Sequence, residues 1–197
     1  MGLSEFIKTY NQAGTIILLE GKRNVNEADK PKLEALGRML AEKLPKATFR
    51  SGNADGSDLY FSKGVVSVDP ERLQVITPYK GHRKNKNYAG DTLSLDTINL
   101  GEEPEVVYES KSHKKMERLI DKYVSGENNR YVVKAAYIIR DTVKVLGTNS
   151  GVPPISFAFF YDDLDKPRAG GTGHTINVCE RNDVPFLTQQ DWMKWLD

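Results

Sequence analysis

Thr15-Ile16-Ile17-Leu18-Leu19 is an unbroken apolar run, closed by Glu20-Gly21-Lys22-Arg23-Asn24. A strand with one wet face would alternate apolar and polar residues. This run does not alternate, so it predicts a strand buried on both faces, as inside a parallel sheet covered by helices. The next segment has a helical period. Leu33, Leu36, Met39, Leu40 and Leu44 recur at three- and four-residue steps over 29–44, with Pro31 in the first turn and Pro45 as a stop. A strand over 47–50, a helix through Gly64 and a strand over 73–77 ended by Pro78 complete a β-α-β-α-β order. That order predicts an α/β sheet with helical crossovers. Beyond it, the pattern predicts helices over 111–123 and 130–146, a strand over 155–160, a helix over 171–181, a strand over 184–187 and a short helix over 189–196.

Composition narrows the class. The 197 residues carry 28 Lys plus Arg against 27 Asp plus Glu, a net charge of +1. That balance argues against a nucleic-acid coat or a polybasic membrane binder. At 39% hydrophobic and 28% charged residues, the chain reads as a folded globular protein of one domain. No apolar run approaches the ~20 residues that span a bilayer, and the start MGLSEFIKTYNQAG lacks a signal-peptide pattern. The single cysteine, Cys179, excludes an internal disulfide framework and suits a reducing compartment, so a cytoplasmic location is expected. His82, His113 and His174 have no metal-ligand spacing, and no metal is expected. The charge is blocked along the chain. Residues 80–90 hold four bases and no acid, 91–109 hold six acids and no base, and 111–144 hold nine bases and four acids. The 85–110 stretch reads as an irregular insertion or lid, followed by covering helices at about 111–147.

Two glycine turns sit where ligands bind in open α/β sheets, after a strand and before a helix. The first is Arg50-Ser51-Gly52-Asn53-Ala54-Asp55-Gly56-Ser57-Asp58. Its small residues let a ligand approach the backbone, and helix-start amides favour an anion. The second is Ala169-Gly170-Gly171-Thr172-Gly173-His174-Thr175-Ile176, with hydroxyl and imidazole donors beside its glycines. It matches neither the phosphate-loop consensus nor the dinucleotide fingerprint. Gly21, Lys22 and Arg23 after the first strand, and Lys80 and Arg83 after the third, would place cations at the same rim. Asp58 or Asp162 would orient a ribose. For each segment, a plain turn or a solvated charge is the open alternative. Cys179, Trp192 and Trp195 read as packing residues.

These pieces resemble the SLOG superfamily, the Rossmann-like nucleotide-binding group that includes DNA-processing protein A and the "lonely guy" phosphoribohydrolases. The first turn is similar to R-S-G-G-A-x-G-A-D, and Ile76-Thr77-Pro78-Tyr79-Lys80-Gly81 to a strand ending P-W-K-G. Gly170-Gly171-Thr172-Gly173-His174-Thr175-Ile176, then Asn182-Asp183-Val184-Pro185-Phe186, is similar to G-G-T-x-x-T-I followed by a strand holding V-P. The resemblance covers 14–80 and 155–190. It implies a single Rossmann-like α/β domain over 1–197, with a mainly parallel sheet flanked by helices. The phosphoribohydrolase branch carries G-G-x-G-T-x-x-E; here the glutamate position is Asn177 and the threonine position His174. A neutral Asn cannot serve as general base, so the resemblance implies nucleotide binding more firmly than hydrolysis.

The leading expectation is a sensor or binding protein for a small phosphorylated ligand: a nucleotide, ADP-ribose or an NAD-like molecule. Its phosphate would lie between the two turns, with Arg50, Ser51, Gly52, Asn53, Ala54, Asp55 and Gly56 on one side and Gly170, Gly171, Thr172, Gly173, His174 and Thr175 on the other. A nucleotide N-glycosidase using Glu20, Asp55, Asp58 or Asp162 is a second reading. A DNA-processing-like binder of single-stranded DNA is a third. A homo-oligomer is compatible with all three, and no membrane partner is expected.

Overall fold

The computed structural model describes all residues of the chain except Lys114, Asn128 and Asp197. Six strands form one sheet: β1 (Ile16–Gly21), β2 (Thr48–Ser51), β3 (Leu73–Thr77), β4 (Asp91–Ser94), β5 (Phe157–Tyr161) and β6 (Phe186–Thr188). Their order is β4-β3-β2-β1-β5-β6, and every neighbouring pair is parallel. The chain winds outward from β1 to β4, then returns to place β5 on the other side of β1. This reversal makes the β1/β5 seam the topological switch point of a Rossmann-like sheet.

All six β1 residues are buried, as its unbroken apolar run requires. Ile17 and Leu19 face one side, joined by Phe49, Val75, Phe157 and Phe159. The helices α1 (Leu3–Tyr10), α2 (Lys30–Lys43) and α3 (Ser57–Val66) contribute Phe6, Leu33, Leu36, Leu40, Phe61 and Val65 to that side, and Trp192 of α8 (Gln189–Trp192) closes it. Trp195 packs on Phe6 and Phe159. Helices α2 and α3 cross at two glycines. A Cβ on Gly37 would stand 2.3 Å from the Phe61 carbonyl, and one on Gly64 would stand 2.1 Å from that of Glu34. Only residues without side chains allow this approach.

The opposite face is covered by α4 (Pro104–Lys111), α5 (Glu117–Val124), α6 (Val133–Leu146) and α7 (Gly170–Arg181). Leu18, Phe160, Val145, Ile176 and Cys179 form one cluster there, and Ile76, Leu95, Val106, Ile120 and Ile139 form another. The acidic segment differs in part from its expected form. It contains single 3-10 turns, but it also adds β4 to the sheet, and Leu95 and Val106 are core residues. The helix expected over 111–123 is two helices, since α4 ends at Lys111 and α5 starts at Glu117; Lys114 lies outside the described residues. Helix α1 is an element that the sequence pattern above does not predict. Among the described residues, no helix is long and apolar enough to cross a membrane.

Candidate functional site

The carboxyl ends of β1, β2, β3 and β5 bring the predicted segments to one edge. Asp58, at the start of α3, organises that edge. One carboxylate oxygen accepts the Gly21 amide at 3.3 Å; the other accepts the Gly52 and Ala54 amides, each at 3.2 Å. The carboxylate is therefore occupied by backbone, which ties the loops after β1 and β2 together and leaves it poorly placed to orient a ribose. Ser57 adds a second tie, its hydroxyl donating to the Lys22 carbonyl at 2.7 Å. Asn53 and Gly56 carry positive φ values of 55° and 82°. The Gly56 conformation is one only glycine adopts freely, and a Cβ there would stand 2.1 Å from the Arg23 carbonyl.

The two glycine turns converge, but charged side chains of α6 occupy the space between them. A Cβ on Gly52 would meet the Arg140 guanidinium and the Lys144 ammonium at 3.0 Å, and one on Gly171 would meet the Asp141 carboxylate at 2.9 Å. Lys144 Nζ lies 2.6 Å from Glu20 and 2.9 Å from Asp141. Arg140 binds Asp141 at 2.6 Å and the Gly52 carbonyl at 2.9 Å. Thr175 donates to Glu20 at 2.9 Å. The four ionic side chains are almost fully buried and sum to zero charge.

Arg50 belongs to the same interior. It is 0% exposed, and its guanidinium donates to Gln74 and to the carbonyls of Lys144 and Pro153. Burial pushes its pKa down to about 10. It supports α6 from the sheet and does not reach the rim where a phosphate would bind. His174 likewise turns inward, with Nε2 2.9 Å from the Thr142 hydroxyl, and burial pushes its pKa down to about 4. Gly170, His174 and Asn177 line a small cavity of about 250 Å³ with Arg168, Ser112 and His113. Asp162 accepts the Arg168 amide through one oxygen; the other, buried, has no partner among the described residues.

Glu20 stands apart from the other perturbed carboxyls in the direction of its shift. Burial pushes its pKa up to about 7, with Asp141 and Asp58 adding to the rise and Lys144 opposing it. Burial also works against the Asp141 carboxylate, but Arg140 and Lys144 outweigh it and hold that group below the ordinary range. A carboxyl raised in the folded state binds a proton the unfolded chain has already lost. Its contribution therefore lowers stability as pH rises from about 4.5 to about 7. His174 and His82, whose pKa values are lowered, act oppositely over about 4 to 6.5. The check is a difference: urea midpoints of the wild type minus those of Glu20→Gln should fall as pH rises from 4.5 to 7. A constant difference would contradict the raised Glu20 pKa.

The remaining predicted cations stay at the rim. Arg23 and Lys80 are exposed, and Lys22 lies 3.6 Å from Asp163. Arg83 pairs with Asp55, and Lys86 lies 3.5 Å from the same carboxylate. With Lys84 they bound a basic pocket of about 500 Å³. Tyr79 and Tyr88 flank this segment and are 38% and 48% exposed. Behind them, Tyr79, His82 and Tyr137 pack edge to face. Burial, then the Arg140, Arg83 and Arg23 charges, push the His82 pKa down to about 4. That imidazole thus registers a positive local potential.

Sequence reasoning missed Arg140, Asp141 and Lys144 as site-filling residues. The available signal was two cations spaced i, i+4 on the apolar stripe of α6. No family model and no curated protein sequence matches the chain. Solved structures do match it. The fold is shared with DNA processing protein A of Streptococcus pneumoniae. That similarity has a TM-score of 0.51 at 11% identity and covers 91% of this chain and 51% of the pneumococcal one. The chain thus spans about half the length of that protein. DNA processing protein A of Helicobacter pylori, which binds single-stranded DNA, matches with a TM-score of 0.47 at 12% identity, over 91% of this chain and 67% of that one.

Proposed function

We propose that the chain binds single-stranded nucleic acid, with DNA as its first candidate, along the carboxyl edge of the sheet. The observation that carries this reading is segment 79–88. Two exposed tyrosines there flank Lys80, Arg83, Lys84 and Lys86, with no acid in the segment. Single strands are held by cations tracking the phosphates and aromatic rings stacking on the bases. Lys80, Arg83, Lys84 and Lys86 supply the first, and Tyr79 and Tyr88 the second. A phosphate held between the two glycine turns has less support, because the α6 ion cluster fills that space.

Fluorescence anisotropy of a labelled oligo-dT across a salt series tests the reading. Each phosphate contact on a single strand contributes about −0.7 to the slope of log affinity against log salt. Four rim cations therefore predict a slope of roughly −3. No binding at low salt, or affinity indifferent to salt, would refute it.

Asp55 is an internal competitor for the same cations. Hydrogen bonding by Arg83 holds its carboxyl below the usual range, and a strand phosphate must share or displace that contact. Asp55→Asn should bind oligo-dT about fivefold more tightly, the scale of one exposed ion pair. Unchanged or weaker binding would place the strand away from Arg83.

A further inference from the structure

A second cavity, of about 660 Å³, is lined in part by the residues that lead into the basic segment. Pro78 and Tyr79 line it, whereas Gly81 and Arg83 line the basic pocket, so Lys80 alone separates the two linings along the chain. Its walls are apolar, from Leu95, Ile98, Leu100, Val124, Val133 and Ala136, and Tyr79 and Tyr123 contribute rings. Its charged lining groups are the acids Asp96 and Glu127, of which Glu127 is exposed and lies 3.3 Å from Lys122 Nζ. Burial and the Asp96 charge raise the Tyr123 phenol above its ordinary pKa, consistent with a negative interior. The size suits a small organic ligand, and the chemistry is the reverse of a phosphate site.

We propose that this cavity is a base pocket, and that it takes guanine in preference to other bases from the strand held at the rim. The proposal rests on the single-strand reading. Unstacked bases are recognised by stacking on aromatic rings and by hydrogen bonds to their edges. Carboxylates accept hydrogen bonds only, so they select edges rich in donors. Guanine presents a ring N–H and an amino group side by side, which suits a carboxylate. Adenine and cytosine present one amino group beside an acceptor, and uracil one N–H between two carbonyls. The apolar walls further reward the larger purine ring.

Nuclear magnetic resonance titration of the full chain with two split probes separates this proposal from the reading beneath it. Guanosine carries a base without phosphate, and ribose 5-phosphate carries phosphate without a base. Guanosine should move signals of Ile98, Leu100, Val124 and Ala136, with adenosine weaker and uridine weakest. Ribose 5-phosphate should move signals of 81–86. Silent pocket signals with guanosine, or uridine matching guanosine, would overturn the base pocket. A response to guanosine with none to ribose 5-phosphate would overturn the rim reading and leave the pocket standing. The double variant Asp96→Asn, Glu127→Gln keeps an acceptor for the Lys80 amide, which Asp96 takes at 2.7 Å. It should reduce the guanosine preference by about tenfold, the scale of one good bidentate contact. A preference retained in that variant would mean that the carboxylates do not read the base, and the proposal would fail.

Discussion

Lys144→Met is expected to destabilise the fold by about 3–5 kcal/mol, the cost of breaking a buried ion pair from one side. Lys144 is 0% exposed and lies within 3 Å of both Glu20 and Asp141. Removing its ammonium leaves two carboxylates in a dry space with Arg140 as their near cation. Asp58 cannot help, since it is a further negative charge committed to three amides. For a chain of this length the loss corresponds to a fall of roughly 6–20 °C in Tm. Denaturant unfolding at pH 7 gives the free energy directly. A companion variant, Lys144→Met with Glu20→Leu, should recover part of the loss, because it removes both members of one pair and leaves the neutral Arg140–Asp141 pair in place. A loss under 1 kcal/mol in the single variant would show that water reaches the cluster.

Removing the rim cations should act on binding and spare stability. In Arg83→Ala, Lys84→Ala, Lys86→Ala, three phosphate contacts disappear. The salt slope for oligo-dT should fall by about 2, and affinity at low salt by roughly a hundredfold. Stability should change by less than about 1 kcal/mol, since among the described residues the ion pairs lost are those to exposed Asp55. The two variants therefore dissociate: Lys144→Met is a stability variant and the rim triple a binding variant. If the triple leaves the slope unchanged, the strand follows another path, with Lys22 and Arg23 the next cations at this edge.

The strands that decided the fold were legible because burial on both faces leaves an unmistakable mark. Thr15–Leu19 and 155–160 have no polar alternation to confuse them, and the helix between β1 and β2 carries its own period. Strand β4 was not legible. Asp-Thr-Leu-Ser is short and polar, as an edge strand can be, and it sits among acids that suggest a loop. The first glycine turn follows β2 directly, whereas Gly170–Ile176 form the opening turns of α7, beyond a loop over 162–169; the direction of the side chains is hidden from the sequence in both. Whether Asp58, His174 and Thr175 face a ligand or the interior depends on α6, which is distant in sequence. Charges on the core-facing stripe of α6 look like a solvated helix face until the sheet beneath supplies Glu20 and Gly52.

The paired glycines between α2 and α3 bear on the opposite end of those helices. Helix α2 begins just after the loop that carries Lys22 and Arg23, and α3 begins just after the turn that carries Asp55. With carbonyls seated against Gly37 and Gly64, the axes stand at their minimum separation. Helix spacing thus sets how far apart the two loops begin. A single methyl group added at the crossing must wedge the helices apart and widen that edge. The width of the rim is therefore adjustable from a position buried on the far side of the sheet, by a residue that no strand or nucleotide would ever touch.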